Sequence, residues 1–110
     1  MSISMFAYLD TAPPFEEMRA ALAAFGLVYR HTLPADDRWG YPMHVFGYES
    51  LRVVYHAGDP RQGEAVVDST IARDDQQARA IVQLVLSTIV RHYGGHIQDP
   101  RATYRGMTFA

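Results

Sequence analysis

Hydrophobic and polar residues follow one another with two different periods along this chain, and each period predicts one kind of element. Short runs rich in aromatic and β-branched residues, some of them alternating with polar ones, are typical of β-strands. They predict strands at residues 1–10, 27–33, 43–48, 51–56, 65–72 and 96–100. The two runs at 43–48 and 51–56 are either paired strands around Glu49-Ser50 or one long strand with a bulge near Gly47.

Apolar residues three and four positions apart predict two helices. In the first, at 14–25, Phe15, Met18 and Leu22 share one side. Gly26 follows, and glycine readily takes the left-handed conformation that ends a helix. The sequence therefore predicts a short amphipathic helix directly after the first strand.

The second helix is predicted at 74–93. Asp74 is placed to cap its free amides, and Gln77 stands three residues later in the capping-box position. Its apolar stripe comprises Ala78, Ile81, Val82, Val85, Ile89 and Tyr93, widened by Leu84, Leu86 and Val90. Such a wide stripe favours a helix set deeply in the core, with contact to a partner chain as the alternative.

This order of elements predicts the fold class. A chain of 110 residues, 48% of them hydrophobic, suits a single domain spanning 1–110. The elements fit an α+β fold, a ferredoxin-like two-layer sandwich variant with a mostly antiparallel sheet, two helices on one face and an extra hairpin. The other face of such a sheet must be polar or be covered by a partner.

Aromatic, cationic and imidazole side chains occur together on the two central strand runs. We expect one face of these strands to carry His44, Phe46, Tyr48 and Arg52, together with Val54 and His56. This mixture is enriched in binding interfaces, so we predict that His44, Phe46, Tyr48 and Arg52 contact a partner. The alternative is a partly buried sheet face whose polar tips reach solvent.

The proline-bounded segment 34–42 is predicted to be a loop, and it holds the only Trp. A charged aromatic loop offers anchoring area with a charged rim. We predict partner contacts for its members Asp36, Asp37, Arg38, Trp39 and Tyr41. In the alternative, Trp39 folds back and closes the end of the core.

Composition narrows the classes of partner and compartment. The net charge is −2 with a pI near 6.2, so phosphate backbones and anionic membranes are poor partners. All 10 basic residues are Arg, and there is no Cys, which excludes disulfides and thiolate chemistry. The first residues lack the pattern of a signal peptide or membrane span. We expect a cytoplasmic protein that binds neither nucleic acid nor membrane.

The histidines are the side chains of this chain best suited to metal binding or general-base catalysis. His92 and His96 have the spacing of a helical metal pair, but the glycines between them should end the helix, so no metal site is predicted. His44 and His56 would face each other across a hairpin, where Glu49, Asp59 or Asp68 would complete a general base. No nucleophile elbow or phosphate loop occurs, and we expect no cofactor.

The closing part of the chain carries a resemblance. The segment Tyr93-Gly94-Gly95-His96-Ile97-Gln98-Asp99-Pro100, after a long apolar helix, resembles the closing segment of small bacterial proteins that include immunity partners of secreted toxins. The resemblance covers about the last quarter of the chain and implies a cytosolic protein that binds and blocks one cognate toxin.

Two functional hypotheses of different classes follow. The first is a non-enzymatic protein-binding module of the immunity or inhibitor type, whose Asp36 and Asp37 would suit a basic nuclease toxin. The second is a small homodimeric enzyme or small-molecule-binding protein, of the α/β-barrel type, with a pocket lined by Tyr, Phe and His.

Overall fold

The chain forms an antiparallel sheet with two helices packed on one of its faces. The computed structural model describes residues 2–35, 42–49, 51–57, 65–72 and 75–98. The elements are β1 (Ser2–Leu9), α1 (Phe15–Ala23), β2 (Val28–Leu33), β3 (Met43–Tyr48), β4 (Leu51–Ala57), β5 (Ala65–Ala72), α2 (Gln76–Tyr93) and β6 (Gly95–Gln98). The α+β class and the two-layer arrangement are thereby confirmed, whereas the ferredoxin-like assignment stays a prediction.

The strands lie in the order β2-β3-β4-β5-β1-β6, and every neighbouring pair is antiparallel. The first strand of the chain thus pairs on both sides, with β5 and β6. The hairpin of β3 and β4 lies between β2 and β5. Six paired strands give the sheet two broad faces, and the helices pack against only one of them.

The register of the β3–β4 hairpin decides which side chains share a face. Tyr48 pairs with Leu51, so the runs are two paired strands and not one bulged strand. Only two residues separate that pair, and an even-numbered residue of β3 therefore lies beside an odd-numbered residue of β4. Phe46 pairs with Val53, for example.

The hydrophobic core lies between the helices and what we call the helix face of the sheet. Strands β1, β4 and β5 contribute alternate residues to it, as expected for the two-residue period of a strand, and β3 and β6 contribute one buried residue each. Its members from the strands include Met5, Ala7, Phe46, Val53, Tyr55, Val67 and Ile97, and those from the helices include Met18, Leu22, Val82, Val85, Leu86, Ile89 and Val90. Leu86 and Val90 are thus core residues, whereas Leu84 is 60% exposed.

The helix ends show where local sequence rules succeeded. After α1, the Gly26 N–H donates to the carbonyl of Ala23 at 2.9 Å and the Leu27 N–H to that of Leu22 at 3.1 Å, with a φ of 81° at Gly26. This is a Schellman ending, and the role predicted for Gly26 is confirmed.

The start of α2 is one residue later than predicted. Asp75, and not Asp74, caps this helix, because its side chain accepts a hydrogen bond from the Ala78 N–H at 2.9 Å. Asp74 itself lies outside the described residues. A capped end of this kind satisfies one of the amides that the first turn leaves free.

The passage from α2 into β6 depends on a close backbone contact. Gly95 has a φ of 134°, and a Cβ at this residue would lie 2.0 Å from the carbonyl oxygen of Tyr8. No side chain fits there, so glycine allows β6 to pair directly with β1. This pairing brings His96 beside Tyr8 on the side away from the helices.

Candidate functional site

The side of the sheet opposite to the helices, which we call the outer face, carries a mixture of aromatic, aliphatic, acidic and basic residues. Its members in the described strands include Phe6, Tyr8, Met43, Val45, Arg52, Val54, His56, Val66, Asp68 and His96, as the strand registers show. None of these belongs to the core cluster that the two helices complete. Packing against the helices therefore does not explain why this face carries apolar residues.

An aromatic row crosses one end of the outer face. The rings of Tyr8 and His96 stack with their centroids 5.3 Å apart, and those of Phe6 and Tyr8 are 6.2 Å apart. All three residues retain exposed surface. The row comes from strand alternation, because Phe6 and Tyr8 are two residues apart while their neighbours Met5 and Ala7 enter the core.

A histidine–aspartate pair occupies the middle of the outer face. The Nε2 atom of His56 hydrogen-bonds to the Oδ2 atom of Asp68. The two residues are diagonal neighbours on β4 and β5, since His56 pairs with Val66 and Asp68 with Val54. Their side chains are 14% and 20% exposed, so the pair is accessible but largely desolvated. The carboxylate holds the imidazole in one orientation, as a general base or a polar interface contact requires.

His44 does not face His56, contrary to prediction. His44 pairs with Tyr55 and lies on the helix face, whereas His56 pairs with Met43 and lies on the outer face. The general base expected from His44 and His56 together is therefore wrong. Of its expected carboxylate partners, Asp68 does meet His56, as predicted, while Asp59 lies outside the described residues.

His44 instead belongs to a polar cluster beneath α1. Its Nδ1 atom lies 2.8 Å from the Oγ1 atom of Thr32, which lies 2.6 Å from the hydroxyl of Tyr29. The ring of Phe15 is 4.5 Å from that of His44, centroid to centroid. Burial lowers the pKa of His44, so the packing favours its neutral form.

Two tyrosines continue this buried polar layer. The Tyr55 hydroxyl donates to the carbonyl of Pro13 at 2.5 Å, and burial, with smaller effects from Tyr93 and Glu17, raises the pKa of Tyr55 to about 12. Burial also raises the pKa of Tyr93, together with the charge of Glu17 and a hydrogen bond to its carboxylate. Both phenols stay protonated near neutral pH. Tyr55 links the sheet to the residues before α1, and Tyr93 links the end of α2 to Glu17 of α1.

The predicted common face of His44, Phe46, Tyr48 and Arg52 is wrong. The first three lie on the helix face, and Arg52 lies on the outer face with Val54 and His56. The physical reason is the two-residue hairpin loop, which places even positions of one strand beside odd positions of the next. Phe46 is 0% exposed and offers a partner no surface, whereas Tyr48 is 50% exposed at the strand end.

Two clefts lie beside the hairpin, one on each side of the sheet. The first has a volume of about 310 Å³ and lies between Tyr48 and the start of α2 at Asp75 and Ala78. The second, of about 370 Å³, is bordered by Arg30, His31 and Arg52 on the outer side. Tyr48 and Arg52, predicted as neighbours, thus line different clefts.

The remaining predicted contacts, Asp36, Asp37, Arg38, Trp39 and Tyr41, lie outside the described residues, and their role stays a prediction. Sequence reasoning missed Phe6, Tyr8 and Arg30. The alternation within 3–9 held the signal for the first two, since its even positions are Ser4, Phe6 and Tyr8.

Comparisons with known proteins give no information about the site. No protein-family model, curated protein or solved structure matches this chain. Across the described ranges, no three His, Asp or Glu side chains come together as a metal site requires. Neither of the two described helices is long and apolar enough to cross a membrane.

Proposed function

We propose that this chain is a non-enzymatic protein-binding module that holds its partner against the outer face of the sheet. The observation that carries the proposal is the set of aromatic and aliphatic residues on a face that neither helix covers. Phe6, Tyr8 and Val54 are only partly buried there. Burying apolar area of this kind is the main driving force for protein association.

The polar residues of the outer face suit the same role. His56 and Asp68 form a pair near the centre, and Arg52 stands exposed at one end. Interfaces combine an aromatic and aliphatic centre with polar groups that fix orientation, and Arg and Tyr are enriched in them. The outer face therefore has the composition of a recognition surface.

Within this class, we propose an immunity or inhibitor protein that neutralises a cognate bacterial toxin in the cytosol. Support comes from the resemblance of the segment 93–100 to the closing segments of such proteins. In this chain, Gly95–Gln98 forms β6 and brings His96 into the aromatic row. The segment that carries the resemblance thus contributes a side chain to the proposed binding surface.

Co-expression tests this function. Cells expressing the open reading frame beside this gene are grown with and without this chain, and we expect growth arrest that this chain relieves. A Tyr8→Arg variant should lose the rescue, because it places a charge in the aromatic row. Leu84→Arg is the matched control, since Leu84 is exposed on α2 and away from the sheet. A neighbouring product without toxicity, or a toxicity that this chain leaves unchanged, would argue against the immunity role.

A second candidate is a homodimer whose two outer faces pack together, with enzymatic or ligand-binding activity in the enclosed space. The His56–Asp68 pair favours it, because that pair would then lie inside the enclosed space next to Tyr8 and Phe6. Light scattering distinguishes the candidates: this one requires a stable dimer in the absence of any other protein, and a monomer at micromolar concentration rules it out.

A further inference from the structure

The outer-side cleft near β2 is lined by two arginines that come from different strands. The cleft has a volume of about 370 Å³, and Arg30, His31, Val45, Gly47, Glu49 and Arg52 are among the residues that line it. Both arginines are exposed. The cleft therefore exposes two positively charged side chains to solvent.

A bulge in β2 directs Arg30 into this cleft. Tyr29 pairs with Phe46 and His31 with Val45, so Arg30 is an extra residue between two consecutive pairs of the ladder. In a regular strand, Arg30 and His31 would point to opposite faces. Because of the bulge, both line the same cleft.

Gly47 makes room for the Arg30 side chain. A Cβ at Gly47 would lie 3.3 Å from the Nε atom of Arg30 and 3.2 Å from the carbonyl oxygen of Leu51. Arg52 pairs directly with Gly47 on the neighbouring strand. The two arginines are therefore gathered around one residue that lacks a side chain.

Neither arginine has an ionic partner in the described part of the chain. Among the described residues an ion pair joins His56 and Asp68, and none involves Arg30 or Arg52. Glu49 lines the same cleft and is exposed, yet no ion pair joins it to Arg30 or Arg52. Two like charges held near each other repel, and an anion between them would remove that cost.

We propose that this cleft is a binding site for a carboxylate group, held by Arg30 and Arg52. A guanidinium presents paired N–H donors in a plane that matches the two oxygens of a carboxylate. A guanidinium also pairs with phosphate oxygens, and the exposed Glu49 repels either anion, so phosphate is the competing ligand that the test must rank below a carboxylate. The carboxylate comes either from a small free acid or from an Asp or Glu side chain of another protein.

The site is tested on the isolated full chain by following the Arg Nε–H resonances in NMR titrations at low salt. The probes are glutarate, its neutral analogue glutaramide, inorganic phosphate, and a blocked Glu-Gly-Glu peptide without free termini. We expect saturable shifts at Arg30 and Arg52 with glutarate or the peptide, and none with glutaramide. Whichever of the two binds more tightly identifies the source of the carboxylate.

Variants complete the test. Arg30→Gln and Arg52→Gln should each weaken binding by about threefold to tenfold, and Glu49→Gln should strengthen it. Arg91→Gln, which removes the same charge from an exposed helix position, should leave binding unchanged. Shifts that do not saturate, shifts as large at Arg91, or tighter binding of phosphate would overturn the proposal. The titration needs no partner protein, so its result does not depend on whether the proposed protein-binding function is correct.

Discussion

The two faces of this sheet come from the same six strands, yet they differ in almost every physical property. On the helix face, Met5, Val53 and Val67 are 1%, 0% and 0% exposed and contribute to one apolar core. The outer face mixes stacked aromatic rings, aliphatic side chains and a His–Asp pair. The difference shows that helix coverage turns one face into a core, whereas on the other face Phe6, Tyr8 and Val54 stay partly exposed and belong to the proposed recognition surface.

Strand β4 shows this contrast within seven residues. Val53 and Tyr55 are completely buried, while the exposed Arg52 and the partly buried Val54 and His56 alternate with them on the other side. The strand has no separate functional segment. Its odd-numbered residues contribute to stability, and its even-numbered residues carry the proposed recognition role.

The largest contrast should appear in a matched pair of phenylalanines. Phe46→Ala on the helix face removes a ring that is 0% exposed and should cost about 3–5 kcal/mol of unfolding free energy. Phe6→Ala on the outer face should cost roughly 1–2 kcal/mol, because Phe6 is only partly buried. Urea unfolding measures both values. Equal costs would mean that the two faces are equally parts of the core.

The next effect is expected at the start of β6, a strand at the edge of the sheet. Gly95→Ala should cost at least about 3 kcal/mol, because its Cβ would collide with the backbone of Tyr8. Gly94→Ala is the control and should cost about 1–2 kcal/mol. Its Cβ would meet the side chain of Asp10, which can move, although the φ of 84° still favours glycine. Thermal unfolding compares the two, and similar losses would contradict the close contact between β6 and β1.

Two neighbouring hydroxyls provide a smaller test. Ser69 is 1% exposed on the helix face and donates to the carbonyl of Arg52 at 2.5 Å. Ser69→Ala should cost about 1 kcal/mol by leaving that carbonyl without this donor. Thr70→Val on the outer face removes an exposed contact with Ser4 and should change stability by less than about 0.5 kcal/mol. A greater loss at Thr70 in urea unfolding would reverse the assignment of the faces.

The smallest effect is a pH dependence that arises from the helix face. Burial lowers the pKa of His44, so below its ordinary value of about 6.5 the unfolded chain binds the proton more readily than the folded one. Stability should therefore fall as the pH decreases from about 7.5 toward 5.5. His44→Asn should flatten this part of the profile, and His92→Asn, at an exposed helix position, should not. An unchanged slope in His44→Asn would assign the effect to another group.

Much of the fold was predictable because local patterns determine it. The β5 limits were predicted correctly, since Val67 and Ile71 alternate with Asp68 and Thr70. The cap of α2 was predicted one residue early, because two adjacent aspartates satisfy the same local rule and only the folded geometry selects Asp75.

The site was harder to predict because it depends on pairing between strands. The loop between Tyr48 and Leu51 sets which residues of β3 and β4 share a face, and a one-residue change in that loop would exchange the two sets. The bulge that directs Arg30 outward has no local signature either. The aromatic row was accessible to sequence reasoning, since alternation within β1 already separates Phe6 and Tyr8 from the core residues.

The most direct test of the outer face is the rescue assay with Tyr8→Arg and Leu84→Arg compared at equal protein levels. If the outer face binds the partner, the unaltered chain and Leu84→Arg restore the growth of cells that express the neighbouring gene, and Tyr8→Arg, still folded by circular dichroism, does not. Rescue by a folded Tyr8→Arg as strong as that by the unaltered chain would contradict this account and move the binding surface elsewhere.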